Sequence, residues 1–169
     1  MYAAPMICIV YVLSFAAVTN GQVATVSLQS EASFDGDHTT LSCSYAIMDS
    51  SYRVFTLDWL KGESPSDPST LKIAEFYLDA TSPTYSNGYG DQSRYNVSRS
   101  GGSDNAISTF DIFNVELSRD RGRYLCRVAV IQSDGMTMDV IASTDLIVYI
   151  LPTSIDLSDS TGDYPSNDG

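Results

Sequence analysis

The sequence predicts an all-β protein, built as a sandwich of two sheets. Short runs of Val, Ile, Thr, Tyr and Phe are separated by Gly, Ser, Asp and Asn, as in strands joined by turns. No stretch sustains a helical repeat, and two cysteines, Cys43 and Cys126, stand far apart with the single tryptophan, Trp59, between them. A mature chain of about 150 residues is enough for one hydrophobic core.

The first residues are set apart by composition. Residues 6–17 are almost wholly apolar, no charged side chain precedes Glu31, and small residues follow at Ala16, Ala17, Thr19 and Gly21. This pattern is that of a secretory signal peptide over residues 1–21, cut near 19–21, although no Lys or Arg precedes the apolar run. An uncleaved anchor is the alternative, but the run falls short of the roughly 20 residues that a membrane span needs. Cleavage removes Cys8 and leaves Cys43 and Cys126, which export carries into an oxidising compartment. A bond closing a loop of about 80 residues contributes on the order of 4 kcal/mol. Two free buried thiols are the alternative.

Two-residue alternation places the strands. A first strand lies around residues 26–28, and a second puts Thr39, Leu41, Cys43 and Tyr45 on one face. The third turns Phe55, Leu57 and Trp59 inward and Asp58 and Leu60 outward. A fourth covers residues 71–77; a later one turns Phe110 and Ile112 inward, and the next does so with Tyr124, Cys126, Val128 and Val130. The last spans residues 140–149. Length between Trp59 and Arg94 leaves room for extra edge strands.

The run Asp120-Arg121-Gly122-Arg123-Tyr124-Leu125-Cys126 supplies a loop acid, a glycine for a tight corner, and a tyrosine two residues before a cysteine. Together with Cys43, Trp59 and Arg94, it resembles the V-set of the immunoglobulin superfamily, over residues 23–150. The resemblance implies a V-type Greek-key β-sandwich over residues 22–150, with an inter-sheet Cys43–Cys126 disulfide and Trp59 packed on it. It also implies that the Tyr124 hydroxyl bonds back to the corner backbone. Arg94 and Asp120 are expected to form an ion pair closing the bottom of the sandwich, worth about 1 kcal/mol where partly exposed; a solvated Arg94 is the alternative.

Two further features bear on the family. Residues 136–146 contain no glycine, whereas rearranging antigen receptors carry a Gly-x-Gly bulge in their last strand. The stretch Trp59-Leu60-Lys61-Gly62, with Ser64-Pro65 and Ser69-Thr70, is similar to a turn of the V-region-containing chitin-binding proteins of lower chordates. Those proteins also carry a second V domain and a cysteine-rich chitin-binding module that this sequence lacks, so chitin binding does not carry over.

Composition excludes several functions. A formal net charge of -12 leaves no clustered Lys and Arg for nucleic-acid phosphates or an anionic bilayer. His38 is the only histidine, in a polar stretch, so neither a multi-histidine metal site nor a catalytic triad is indicated. Asp35, Asp37, Asp134 and Asp139 lack calcium-loop spacing, and no phosphate loop is present. The expectation is a non-enzyme without cofactors.

Recognition remains, with two candidate surfaces. One is the loop end, about residues 47–53, 77–90 and 132–138, where Tyr52, Tyr77, Tyr85, Tyr89, Asp134 and Met136 are candidate contacts; tyrosine offers large area for little lost freedom. The alternative is that the tyrosines cover loop backbone. The other surface is the outer face of the sheet carrying Trp59 and Cys126, where alternation exposes Leu60, Leu125, Ala129 and Ile131, flanked by Arg127 and Asp58. The family resemblance implies pairing through this face, in a homodimer or with another V domain, across an interface of about 1,600 Å². The alternative is that neighbouring groups cover the leucines.

Asn96-Val97-Ser98 is the only N-glycosylation sequon, and Asn96 is expected to face water on the opposite sheet. Residues 151–169, rich in Ser, Asp, Thr, Pro and Gly, form an expected flexible acidic tail without a membrane span. The expected protein is thus a secreted or extracellular domain that binds a protein, itself included, or a microbial or cell-surface ligand, in immune-type or cell-surface recognition. The alternatives are the outer domain of an adhesion receptor and a self-associating structural surface protein.

Overall fold

The computed structural model describes residues 23–77, 80–86 and 88–150; the expected signal peptide and acidic tail lie outside them. Two sheets form the sandwich. The four-stranded sheet has the order β1 (Ala24–Gln29), β3 (Thr39–Ile47), β8 (Asn105–Ile112), β7 (Tyr95–Gly101). The five-stranded sheet runs β10 (Thr137–Leu146), β9 (Gly122–Gln132), β4 (Tyr52–Lys61), β5 (Leu71–Tyr77), β6 (Thr84–Tyr85). β2 (Ser33–Phe34) pairs in parallel with β11 (Val148–Tyr149), so the last strand is not continuous to residue 149 as alternation suggested. It begins at Thr137, and the chain breaks its pairing after Leu146 to reach β2.

The core forms where alternating residues of the two sheets meet. Cys43 on β3 and Cys126 on β9 are both fully buried and disulfide-linked across the layers. Trp59 is fully buried beside Cys126, its cross-strand partner, and against Phe110, with ring centroids 5.8 Å apart. A buried indole N–H needs an acceptor. Ser108 of the opposite sheet accepts it at 2.9 Å, and its own hydroxyl donates to the Ser98 carbonyl at 2.8 Å.

β4 departs from the expected alternation. Between Val54 and Thr56 its pairing with β9 slips by one residue, leaving Phe55 without a partner. Such a bulge flips the side chains before it. Val54 therefore enters the core, and Phe55, expected inside, is 42% exposed. A second slip lies between β4 and β5: Trp59 faces Ala74 but Leu60 faces Lys72, so Ile73 is the extra residue. Ile73 and Ala74 are both buried, and Lys72 is turned onto the outer face.

Candidate functional site

The corner before Cys126 is held by hydrogen bonds. α1 (Leu117–Asp120) is a single turn that ends in Asp120, which is 2% exposed. Its Oδ2 accepts from Arg94 Nη2 at 2.7 Å and from the Glu116 amide at 2.8 Å, and its Oδ1 accepts from the Tyr95 hydroxyl at 3.1 Å. Arg94 also donates to Glu116 at 2.7 Å. The Tyr124 hydroxyl donates to the Asp120 carbonyl at 2.7 Å. Gly122 follows at φ 127°, a conformation that side-chain-bearing residues rarely adopt. The Arg94–Asp120 pair is largely buried, with Tyr95 bonded to the carboxylate and Tyr124 to the Asp120 backbone.

These tyrosines set an alkaline limit. Burial, then the nearby Asp120 charge, pushes the Tyr124 hydroxyl far above its ordinary value of 10.0, and burial also raises Tyr95, Tyr89 and Tyr45. A raised folded-state value means that the stabilising contribution is complete below pH 10 and is lost as pH rises, since only the unfolded chain ionises there. Thermal denaturation scans should show no tyrosine-linked change between pH 7 and 9 and a steep fall above 10. Each protected tyrosine adds a slope of about 1.4 kcal/mol per pH unit. A Tyr124→Phe variant with the same alkaline slope as wild type would refute this assignment.

The loop end differs from the sequence expectation. Tyr52, Tyr85 and Tyr89 pack against the core. Tyr89 lies 5.0 Å from the Tyr95 ring, and the Tyr85 hydroxyl accepts the Val97 amide at 2.8 Å, satisfying a donor on the edge strand β7. These tyrosines cover the fold, as the alternative reading had it, because the connection from β5 to β7 must close the sandwich side. Tyr77 is 51% exposed. In the β9–β10 hairpin, Asp134 accepts the Met136 amide at 2.9 Å, and Met136 is 66% exposed at the tip.

The outer face of the five-stranded sheet carries the most chemistry. Cross-strand register aligns Asp58 with Arg127 and Glu75, Arg127 with Ile141, and Thr56 with Ala129 and Tyr77. Asp58 is fully buried; its Oδ2 accepts from Arg127 Nε at 2.8 Å and Nη2 at 2.5 Å. Lys72 Nζ lies 3.3 Å from Asp58 Oδ1, where no aligned hydrogen bond forms, and 3.1 Å from Glu75. Residues three apart in a regular strand point to opposite faces; Lys72 and Glu75 meet because the bulge at Ile73 inverts one of them. Burial works against both cations, but the Asp58 and Glu75 charges outweigh it and hold Lys72 and Arg127 above their ordinary values.

Leu60, Leu125 and Ala129 sit on this face but are only 5%, 3% and 9% exposed, which corrects the expected exposed patch. The Lys72 side chain starts beside Leu60 and reaches Asp58, so its stem runs over the sheet. Asp58, expected at the rim, is the sealed centre. The exposed apolar groups are instead Phe55 and Tyr77, in an edge-to-face pair at 6.4 Å, with Ile141 on β10, opposite Arg127. Neither the bulges nor the ion network had a sequence signal beyond the odd polar residue, Asp58, between Leu57 and Trp59.

Comparison with known proteins then bears on the architecture. No family model and no curated protein matches the chain. Among solved structures, murine CRIg aligns with a TM-score of 0.53 at 20% identity, over 73% of this chain and 98% of that one. The chain has an immunoglobulin-like V-type fold. At this identity the likeness speaks for the fold alone, and with 450 solved chains matching, the V-type sandwich does not by itself name a ligand.

His38 is half exposed, stacks on Phe113 at 4.8 Å and lies 3.7 Å from Asp111. Among the described residues no group of three or more His, Cys, Asp or Glu could hold a metal ion, and no helix is long and apolar enough to cross a membrane.

Proposed function

We propose that this chain is an extracellular recognition domain that acts by binding a protein or a microbial or cell-surface ligand, not by catalysis. The observation that carries the reading is the outer face of the five-stranded sheet, where two bulges place Phe55 and Lys72 around a sealed ion network. A lone soluble domain gains nothing from exposing a phenylalanine that straight pairing would bury. The inter-sheet disulfide and the apolar N-terminal segment support export. The test is a binding screen of the secreted, oxidised chain against an array of purified cell-surface ectodomains and fixed microbial surfaces. Saturable binding to at least one of them is expected; none at micromolar concentration would overturn the reading.

Asn96 is proposed as the glycan site of this exported chain. It lies half-buried on β7, between inward-facing Tyr95 and Val97, and its Nδ2 donates to Asp111 at 3.2 Å. β7 is the edge of the four-stranded sheet, so a sugar there leaves the other sheet bare. Secreted material should lose mass on treatment with an asparagine-specific glycosidase, and Asn96→Gln should already have the lower mass. An unchanged wild-type mass counts against the site.

A further inference from the structure

We infer that the outer face of the four-stranded sheet is a bed for the oligosaccharide carried by Asn96, with an open hollow beside Ser100 and Ile107 that seats one of its neutral sugars. The inference rests on the reading of Asn96 as a glycan site and adds where the glycan lies. Asn96 points outward on β7, and two-residue alternation puts Ser98 and Ser100 in line after it. Cross-strand register extends each into a row: Ser98 with Thr109 and Ser42, then Ser100 with Ile107, Ser44 and Ser27. Among the described outward positions of the four strands Asp111 is the only charged residue, in a chain that carries -12. The second row crosses a hollow of about 550 Å³, whose lining also includes Thr25, Ala46 and Asn105.

Neutral hydroxyls and the reach of the tether select this occupant. Transfer of the oligosaccharide from a diphosphate carrier to Asn96 Nδ2 forms the sugar C1–N bond, breaks the C1–O bond to the carrier and releases one amide proton. The second Nδ2 hydrogen stays and still donates to Asp111 at 3.2 Å, and Asp111 is itself held by the Thr40 hydroxyl at 2.6 Å, so the first sugar has a fixed root. From there Ser100 lies four residues along the strand, about 13 Å, a span that the innermost few sugars cover. On the way Ser98 bonds Thr109 at 2.8 Å, and in the hollow Ser27 bonds Ser44 at 2.7 Å. Each pair uses one of its two hydroxyl protons internally and keeps the other, with free lone pairs, for an outside hydroxyl. Such bonds replace bonds to water and gain little each. No aromatic ring faces outward from these strands to hold a free sugar; the stacked His38 and Phe113 rings lie on the other side of Asp111, away from the hollow. A tethered sugar, kept at about millimolar effective concentration, needs no more than the hydroxyls. A second copy would collide with that glycan.

The experiment secretes the full chain from eukaryotic cells and trims the native glycan with an endoglycosidase that leaves a single sugar on Asn96. Trimming should lower the thermal midpoint of the wild type by about 3 °C, the shift expected when the stabilisation of a single net hydrogen bond is lost. In the double variant Ser100→Ala with Ile107→Ala, at two exposed positions, trimming should leave the midpoint unchanged, because the glycan then has no bed to leave. Leu71→Ser, exposed on the five-stranded sheet, should keep the wild-type drop. Circular dichroism checks that each variant is folded. An equal drop in wild type and double variant, or no drop in the wild type, would overturn the bed while the Asn96 glycan stands. A drop that Phe113→Ser abolishes and the double variant keeps puts the glycan on the His38–Phe113 rings and overturns the bed as well. A secreted chain without a glycan removes both readings. A sedimentation dimer of the glycosylated chain, or retention of Asn96→Gln on a mannan resin, either one abolished by the double variant, makes a second copy or a free carbohydrate the occupant and overturns the bed.

Discussion

Replacing Cys43 and Cys126 together with alanine should lower the unfolding free energy by about 4 kcal/mol, the loop-entropy value for a bond that spans 83 residues. That is a large share of the roughly 5 to 15 kcal/mol that a domain has in total. The two sulfurs sit at zero exposure between the sheets, with Trp59 beside Cys126, so the change also loosens the best-packed part of the core. Urea denaturation of the oxidised chain and the double variant measures the effect. The double variant should also unfold with a steeper denaturant dependence, since its unlinked unfolded chain exposes more surface. Coincident midpoints would show that the bond does not constrain the unfolded chain.

The second large effect is expected at the outer face. Arg127→Met leaves the Asp58 carboxylate fully buried with Lys72 as its one remaining cation, 3.3 Å away and without an aligned hydrogen bond. Removing one partner of a buried pair costs several kcal/mol, and the remaining Lys72 places the loss near the low end, about 3 kcal/mol. The double variant Arg127→Met with Asp58→Leu should recover much of it, because no charge is then left buried. A double variant no more stable than Arg127→Met alone would show that packing, not charge, was lost.

Much of the architecture was legible because inward positions recur every second residue and three landmarks fix their phase. With Cys43 and Cys126 inward, the strands β3 and β9 follow, and Tyr124 falls inward two residues before Cys126, whereas Trp59 fixes β4 only as far back as its bulge. The corner was legible for a different reason: Gly122 must adopt φ 127°, and Asp120 must hold three donors with its side chain, so residue type and geometry are tied locally. The face was legible only in outline. Leu60 and Leu125 do point away from the core, but their exposure depends on what lies over them.

What the linear order of residues determined on its own is the two-layer sandwich, its inward phase at the cysteines and tryptophan, and the glycine corner, since each rests on a local period or a backbone constraint. What only the folded arrangement decided is which groups the outer face offers. Whether Phe55 is in or out turns on a single unpaired residue between two strands, and Val54-Phe55-Thr56-Leu57 alternates equally well in either register until β9 is laid beside it. The same holds for Lys72, which a bulge against β4 brings to Asp58 from 14 positions away, and for Ser108, which meets the Trp59 indole only across the sandwich. Contacts between strands distant in the chain carry no local period, so they become readable only once the sheets are paired.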